Sequence, residues 1–389
     1  MKNIIDHQFS KIQKIVDEKE EQLEVEQFDK YYTIYTMVCK MLEKQPVLLY
    51  GGLAINELLP DKLKIYKKKS LPDIDIFSKN PESTAKKVVD YFQKHGYPVA
   101  SYGDALHEGT FKVYVHGNQV LDISAVSASS FKKLSKNSVR GSLGIKVVNP
   151  QFLRMSFHMI LSQPNDAHRW TKTFERLVAF YKTYPPSTKC LLSSTNINSN
   201  VYDSINNYIK TIDCILFGFN ELHLFKENLV SKDHTIIKDF PTIQILVTND
   251  IYEVAIDLIE KIGDPLLSVG KVYEADDFIP RHIFILYKKQ KIMGIYTANS
   301  CMSYIQVNNQ KVASIHTIIR MYYLMLFSSY SHFEKYYSKL ECLVNILSVL
   351  QYKNIGRNNK MFKEFISECY GMHKGLITLK REKLQKYIK

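Results

Sequence analysis

Asp73 and Asp75 alternate with isoleucines in LPDIDIFSKN, a stretch that otherwise reads as a buried strand. Side chains alternate across a strand, so both carboxylates and Phe77 fall on one face, while Ile74 and Ile76 fall on the other. Like charges held this close repel and lose hydration. The arrangement is stable only with a positive partner between them, most simply a divalent cation. A third carboxylate, Asp122, sits inside the apolar strand QVLDISAVS, 47 residues after Asp75. Three carboxylates on neighbouring strands suffice for two Mg2+ ions, because magnesium takes oxygen ligands and shares a substrate's phosphates instead of demanding a complete protein cage. A pair of such ions binds nucleotide phosphates and activates a hydroxyl for in-line attack.

The elements around these residues fit that chemistry. In VLLYGGLAINELL a short apolar strand runs into Gly51 and Gly52 and then into a helix, a turn at which backbone N–H groups approach a phosphate unobstructed. Lys112 shares a strand face with Thr110 and Tyr114, within reach of a phosphate or a nucleobase. In RWTKTFERLVAFYK the apolar positions Trp170, Phe174, Leu177, Val178 and Tyr181 define a helix whose other face gathers Arg169, Lys172 and Arg176, a stripe suited to triphosphate or RNA backbone. Arg154 and His158 are one helical turn apart, the histidine reading as structural. The loop KIYKKKS places Lys67, Lys68 and Lys69 just before the aspartates, where they would meet a polyanion.

A chain of 389 residues that is 45% hydrophobic and 12% aromatic buries substantial cores, and its formal charge of +13 favours a polyanionic partner such as nucleic acid. Cys39, Cys190, Cys214, Cys301, Cys342 and Cys369 show no zinc spacing and no obvious disulfide framework. The first residues carry charges throughout, and apolar runs such as YYLMLF fall short of a membrane span, so an intracellular, reduced, soluble protein without a membrane partner is expected. Residues 1–44 read as helices. Strands and helices then alternate to about residue 130, with a strand pair turned at Gly117 and Asn118, and the Ser/Asn-rich SSTNINSN marks the best internal boundary. Strands at TIQILVT, HIFILYK, KIMGIYT and SYIQV precede long helices, a second mixed region. TIQILVTNDIYEVAIDLI faintly echoes VLLYGGLAINELL.

Double glycine at a strand-to-helix turn, then DIDIF, then LDIS, resembles the nucleotidyltransferase superfamily of DNA polymerase beta and the poly(A) polymerases. With ALHEGTFKVYV, VVNPQFLRMSFHMILSQP and RWTKTFERL in the same order, the chain looks most like poly(A) polymerase catalytic subunits of large cytoplasmic DNA viruses, of the African swine fever virus and giant virus type. The likeness covers residues 45–185 well and the rest loosely. It implies an α/β (α+β) fold: a catalytic domain over 1–185 including the N-terminal helices, a helical connection at 186–240, and a degenerate nucleotidyltransferase-like domain at 241–389 that clamps RNA. By the same resemblance Asp73, Asp75 and Asp122 bind two Mg2+ or Mn2+ ions, and Gly51 and Gly52 meet ATP; the basic residues are placed by the strand-face, helix-stripe and loop readings above, which set Lys112, Lys172 and Arg176 against ATP. Lys67, Lys68, Lys69, Arg154 and Arg169 meet RNA, at its 3′ end. A homodimer or an accessory processivity subunit is open, and the setting is the host cytoplasm or a virus factory. YEADDFIP, with Asp276 and Asp277 adjacent instead of alternating and no double glycine before them, leaves the second domain catalytically silent. A CCA-adding, uridylyl-adding or small-molecule nucleotidyltransferase, and a non-catalytic RNA-binding subunit, stay as alternatives.

Overall fold

The computed structural model describes residues 15–16, 18–19, 31–66, 70–186, 199–218, 243–357, 359–372 and 376–388. Two compact units emerge, Met1–Pro150 and Gln151–Lys389. The mixed α/β expectation is borne out in both.

In the first unit a helix over residues 31–43 (α1) precedes β1 (Leu48–Tyr50), α2 (Gly51–Leu58), β2 (Asp75–Ser78) and α3 (Pro81–Lys94). A meander of β3 (Ser101–Asp104), β4 (Thr110–Val115) and β5 (Asn118–Ala125) follows, then α4 (Ala128–Ser135), β6 (Val139–Arg140) and β7 (Lys146–Val147). The strands form one sheet in the order β3-β4-β5-β2-β1-β7-β6. The β4–β5 hairpin turns on His116 and Gly117, both at positive φ (51° and 78°), one residue earlier than the sequence reading placed it. Positive φ at both central residues matches the twist of a two-residue hairpin. Helix α3 packs on β2, β4 and β5 through Ala85, Val88 and Phe92, which meets the buried Ile76, Val113 and Ile123 side of the sheet. Strand alternation then sends Asp75, Asp122 and Lys112 to the opposite face.

The second unit begins with α5 (Pro150–Leu161) and α6 (Trp170–Thr183), helices expected to complete the first domain. They group with the later residues because their buried faces do: Phe157 packs on Phe180, His158 lies against His316, and Tyr181 against Tyr352. Within the expected connection at 186–240, the described α7 (Ser199–Ile209) and β8 (Ile215–Leu216) also belong to this unit, β8 as a strand of its sheet. Then come β9 (Ile243–Val247), α8 (Ile251–Ile262), β10 (Leu267–Val269), β11 (His282–Tyr287), β12 (Gln290–Thr297), β13 (Met302–Val307) and β14 (Gln310–Ala313). α9 (Ile315–Phe327), α10 (Ser331–Glu334), α11 (Tyr337–Lys353), β15 (Cys369–Tyr370) and α12 (Leu376–Ile388) complete the unit. α9 is buried along its whole length, as a helix apolar on every side must be. Among the described residues no helix is long and apolar enough to cross a membrane. β15 pairs with β13 and brings Cys369 to Cys301 in a disulfide, Cα–Cα 5.3 Å. That pairing corrects the reading that the cysteines lack a framework; a separation of 68 residues concealed it.

The second sheet runs β10-β11-β12-β9-β8-β14-β13-β15. Its first seven strands repeat the order of the first sheet, with the same directions: β9 is parallel to β12 and antiparallel to β8, as β2 is to β5 and β1. Even the irregularity recurs, a bulge after Val113 in β4 and after Ile285 in β11. Hydrogen bonds fix the register. Ser78 O accepts from Val126 N, and Val247 O from Ala298 N, so Gln244 occupies the position of Asp75 and Gly294, its cross-strand partner, that of Asp122. Phe284 then stands for Lys112 and Phe217 for Tyr50. The degenerate second domain is thereby visible residue by residue, with one correction. The echo of TIQILVTNDIYEVAIDLI is to β2 and α3, not to the double-glycine turn, and Asp276 and Asp277 lie in the β10–β11 loop, away from the former acidic positions.

Asp276 has a structural task there. Its carboxylate accepts from the amides of Phe278, Ile279 and Ser329 and from the hydroxyls of Ser328 and Ser329, tying the loop to the end of α9. Burial pushes its pKa up, but these donors outweigh burial and hold it below the usual carboxylate value. A depressed folded-state pKa contributes stability that is complete above the unfolded value and is lost as pH falls through the folded one. Asp276→Ala should therefore cost about 1–3 kcal/mol at neutral pH. In denaturant titrations across pH the gap to wild type should narrow on acidification; a gap constant with pH would show that the carboxylate charge is not what anchors the loop.

Candidate active site

One row of side chains crosses the first sheet. Tyr50 on β1 is in register with Asp75 on β2, Asp75 with Asp122 on β5, and Asp122 with Lys112 on β4. Register partners project to the same face, so the parallel β2–β5 pairing makes the two aspartates neighbours. Beneath the row, Tyr50 stacks on Phe77 at 3.9 Å, its hydroxyl bonds to Ser124 Oγ at 2.9 Å, and Thr110 Oγ1 lies 3.3 Å from the same oxygen. Burial pushes the Tyr50 phenol up to about 12 against the pull of Ser124, and the charges of Asp75 and Asp122 add to the rise. Tyr50 thus stays protonated as a neutral floor.

The carboxylates are unequally compensated. Lys112 Nζ lies 3.5 Å from Asp122 Oδ2 and also donates to Gln119. Asp122 Oδ1 is buried with no hydrogen-bond partner. Burial raises the Asp122 pKa, Lys112 opposes the rise, and the charge of Asp73 reinforces it. Asp73 itself departs from the sequence reading. The assigned strand starts at Asp75, so Asp73 is exposed two residues ahead of it. Among the described residues no group of three His, Cys, Asp or Glu side chains gathers as a metal site. The expected cage of three carboxylates is here a pair, Asp75 and Asp122, with Asp73 close enough to act on Asp122 by its charge. A divalent cation fits this pair: the donors are hard oxygens, and one buried oxygen is left without a proton donor.

The glycines are explained by contact. Gly51 has φ +72°, and a Cβ on it would lie 2.3 Å from Asp75 Oδ2, so only glycine lets the helix start against this carboxylate. A Cβ on Gly52 would lie 2.1 Å from the Tyr66 hydroxyl. Tyr66 arrives there because the chain after α2 folds back on Asn56, whose Oδ1 accepts from the amides of Ile65 and Tyr66 at 3.0 and 3.2 Å. Tyr50, the residue before α2, makes no side-chain cap, and the first turn contains no acid of its own, so the charge that the helix N-terminus meets is the Asp75 carboxylate lying against Gly51.

The remaining expected residues disperse. Lys67, Lys68 and Lys69 lie outside the described residues. Arg154 is no RNA contact: it is 5% exposed, donates to Tyr184 O and lies over the Tyr181 ring, because its helix face turns into the core. His158 is structural, bonded to His316 at 2.9 Å and Tyr181 at 3.1 Å. Arg169 and Lys172 are exposed and Arg176 half-buried on or beside α6, in the second unit, so none stands on an element that carries the carboxylates. Lys112 is not a solvated lysine but the partner of Asp122. Sequence reasoning missed Tyr50, Ser124 and Tyr66. Tyr50 had a signal, its place between an apolar strand and a double glycine; Tyr66 had none.

Residues 36–167 match a family model described as Poly(A) polymerase catalytic subunit. The resemblance read from the motifs is borne out. A putative poly(A) polymerase catalytic subunit of Acanthamoeba polyphaga mimivirus is 30% identical over 142 residues, 35% of this chain. The chain spans 24% of that relative's length. The crystal structure of the Megavirus polyadenylate synthase superposes with a TM-score of 0.83 at 20% identity, over 98% of this chain and 83% of that one. The fold is therefore shared across both units, including the second sheet.

The contact at Gly52 yields a test. Gly52→Ala should lower stability by about 1–3 kcal/mol, since the new methyl overlaps the Tyr66 hydroxyl. Combined with Tyr66→Phe the loss should shrink, a coupling readable from thermal melts of the four proteins. Strict additivity would mean that the hydroxyl does not limit the space at Gly52.

Proposed function

We propose that the chain is a template-independent poly(A) polymerase, adding AMP from ATP to the 3′-hydroxyl of RNA and releasing pyrophosphate. The observation that carries this reading is the row Asp75–Asp122–Lys112 beside the N-terminus of α2, in the segment that matches the poly(A) polymerase catalytic subunit family. Asp75 and Asp122 hold Mg2+ or Mn2+, with Asp73 completing the set from the segment before β2. When bound, such ions lower the pKa of the attacking hydroxyl and neutralise the triphosphate. The protein's own part is placement. The amides at Gly51 and Gly52 receive phosphate at the helix N-terminus, where the macrodipole favours negative charge. Lys112 restrains Asp122 from one side and leaves its buried oxygen directed at the site. Tyr50 and Ser124 fix the floor under both carboxylates without adding charge.

Purified protein incubated with a labelled oligoribonucleotide and each nucleoside triphosphate in turn, with Mg2+ or Mn2+, should extend the RNA as a ladder with ATP alone. Asp122→Asn should reduce extension by at least about a hundredfold. It should not lower the melting temperature without added metal, because burial already disfavours the charge at this position. Extension at the wild-type rate by Asp122→Asn would falsify the carboxylate assignment. A ladder with a different nucleotide would replace poly(A) synthesis with another transfer.

A further inference from the structure

Gly52 is not bare. The place its side chain would take is filled by the Tyr66 hydroxyl, 2.1 Å from where a Cβ would stand, with Cζ of the ring 3.2 Å away. Along a helix the Cα–Cβ bond leans toward the N-terminus, so an atom in that place lies beside the first turn of α2. The preceding Gly51 yields its own side to Asp75, whose Oδ2 lies 2.3 Å from the corresponding position. Two neighbouring glycines thus admit two oxygens to one turn, a carboxylate at the first and a phenol at the second. A phosphate received at this N-terminus meets both, and of the two only the phenol can donate a hydrogen bond to it.

The phenol is carried by a segment that α2 itself holds. In KIYKKKS the residues Lys64, Ile65 and Tyr66 are all fastened to Asn56: its Oδ1 accepts from the amides of Ile65 and Tyr66 at 3.0 and 3.2 Å, and its carbonyl accepts from Lys64 Nζ at 2.6 Å. The carbonyl needs that partner, because the residue a helical turn later is Pro60, which has no N–H. Lys64 therefore closes the C-terminal end of α2 and is committed there. Gly52 and Asn56 stand one turn apart on the same face of the helix, so the face that receives the hydroxyl also clamps the backbone bearing it. Lys112 cannot serve the same place. It stands at the far end of the row of side chains, with β5 and β2 between its strand and β1.

We propose that Tyr66 is a phosphate-binding residue: its hydroxyl donates to a triphosphate oxygen of the incoming nucleotide at the first turn of α2, and Asn56 is the positioning residue that holds it there. The inference deepens the polymerase reading and rests on it for the choice of a nucleoside triphosphate. It adds a side-chain donor where the double-glycine motif alone places only backbone, and it makes Gly52 a glycine for the sake of Tyr66 as well as of the phosphate.

The test is direct binding of ATP to the full chain by isothermal titration calorimetry, with Mg2+ and without RNA, so that the readout needs no extension. Tyr66→Phe removes one oxygen and should raise the ATP dissociation constant about tenfold. Inorganic tripolyphosphate, used as a competitor, should lose affinity by the same factor, while labelled oligo(A), measured separately, should bind as to wild type. Asn56→Ala keeps the hydroxyl and frees its segment; it should weaken ATP binding by itself and add nothing in the Tyr66→Phe background, because it acts through Tyr66. Should Tyr66→Phe fold poorly by circular dichroism, Asn56→Ala alone carries the test, with weakened ATP binding and unchanged oligo(A) binding as the expected pair. Unchanged ATP affinity in folded variants would overturn the proposal. A loss with ATP that tripolyphosphate does not share would overturn it by assigning the hydroxyl to the ribose or the base, and an equal loss of ATP and oligo(A) by showing a role in folding only. A protein that binds ATP through Tyr66 yet extends no RNA would remove the polymerase reading and leave this inference standing; an ATP ladder from Tyr66→Phe with wild-type ATP affinity would do the reverse.

Discussion

Parallel pairing of β2 with β5 places Asp75 beside Asp122 on a surface that water only partly reaches, and the first unit is organised around that repulsion. Parallel neighbours need a crossover, and α3 with the β3–β4 excursion supplies it while filling the opposite face of the sheet with apolar contacts. Lys112 answers one oxygen of Asp122 and leaves the other without a donor. Gly51 lets the backbone of α2 begin against Asp75, which an alanine would forbid by both conformation and contact. The strain of assembling charge is thus borne by rigid strands and not by mobile loops, as a site needs if it is to be preorganised for a cation and a phosphate.

The second unit shows the same backbone relieved of that burden. With Gln244 and Gly294 at the two acidic positions, the face closes over with Phe217, Phe284 and Tyr296, whose ring stacks on His282 at 5.2 Å. Packing replaces ion pairing, and the polar remainder moves outward to the lysines of the β11–β12 hairpin. One strand plan therefore supports two faces, one lined by carboxylates and the other closed by aromatic packing.

Much of this was legible in the residues. The aspartates, the double glycine, the alternation of strands and helices, and the second mixed region all follow from period and motif. What escaped notice depends on register. The strand starts at Asp75 and leaves Asp73 in the segment before it, and no local pattern marks that start. Arg154 reads as a surface cation because arginine rarely buries, yet the Tyr184 carbonyl and the Tyr181 ring accept it in the core. The repeat of the sheet was faint because the residues that define it in the first unit, the acids and glycines, are those the second has replaced. Only backbone pairing reveals that TIQILVT answers DIDIF.

Gly294 makes the divergence of the two units hard to undo. A Cβ there would stand 2.3 Å from Gln244 Oε1 and 2.7 Å from the Tyr296 ring. A side chain at that position must displace the flexible end of Gln244 and press on the Tyr296 ring, which is itself packed against His282. Glycine at this position is thus a packing requirement of the second sheet, whereas Gly51 is a conformational requirement of the first.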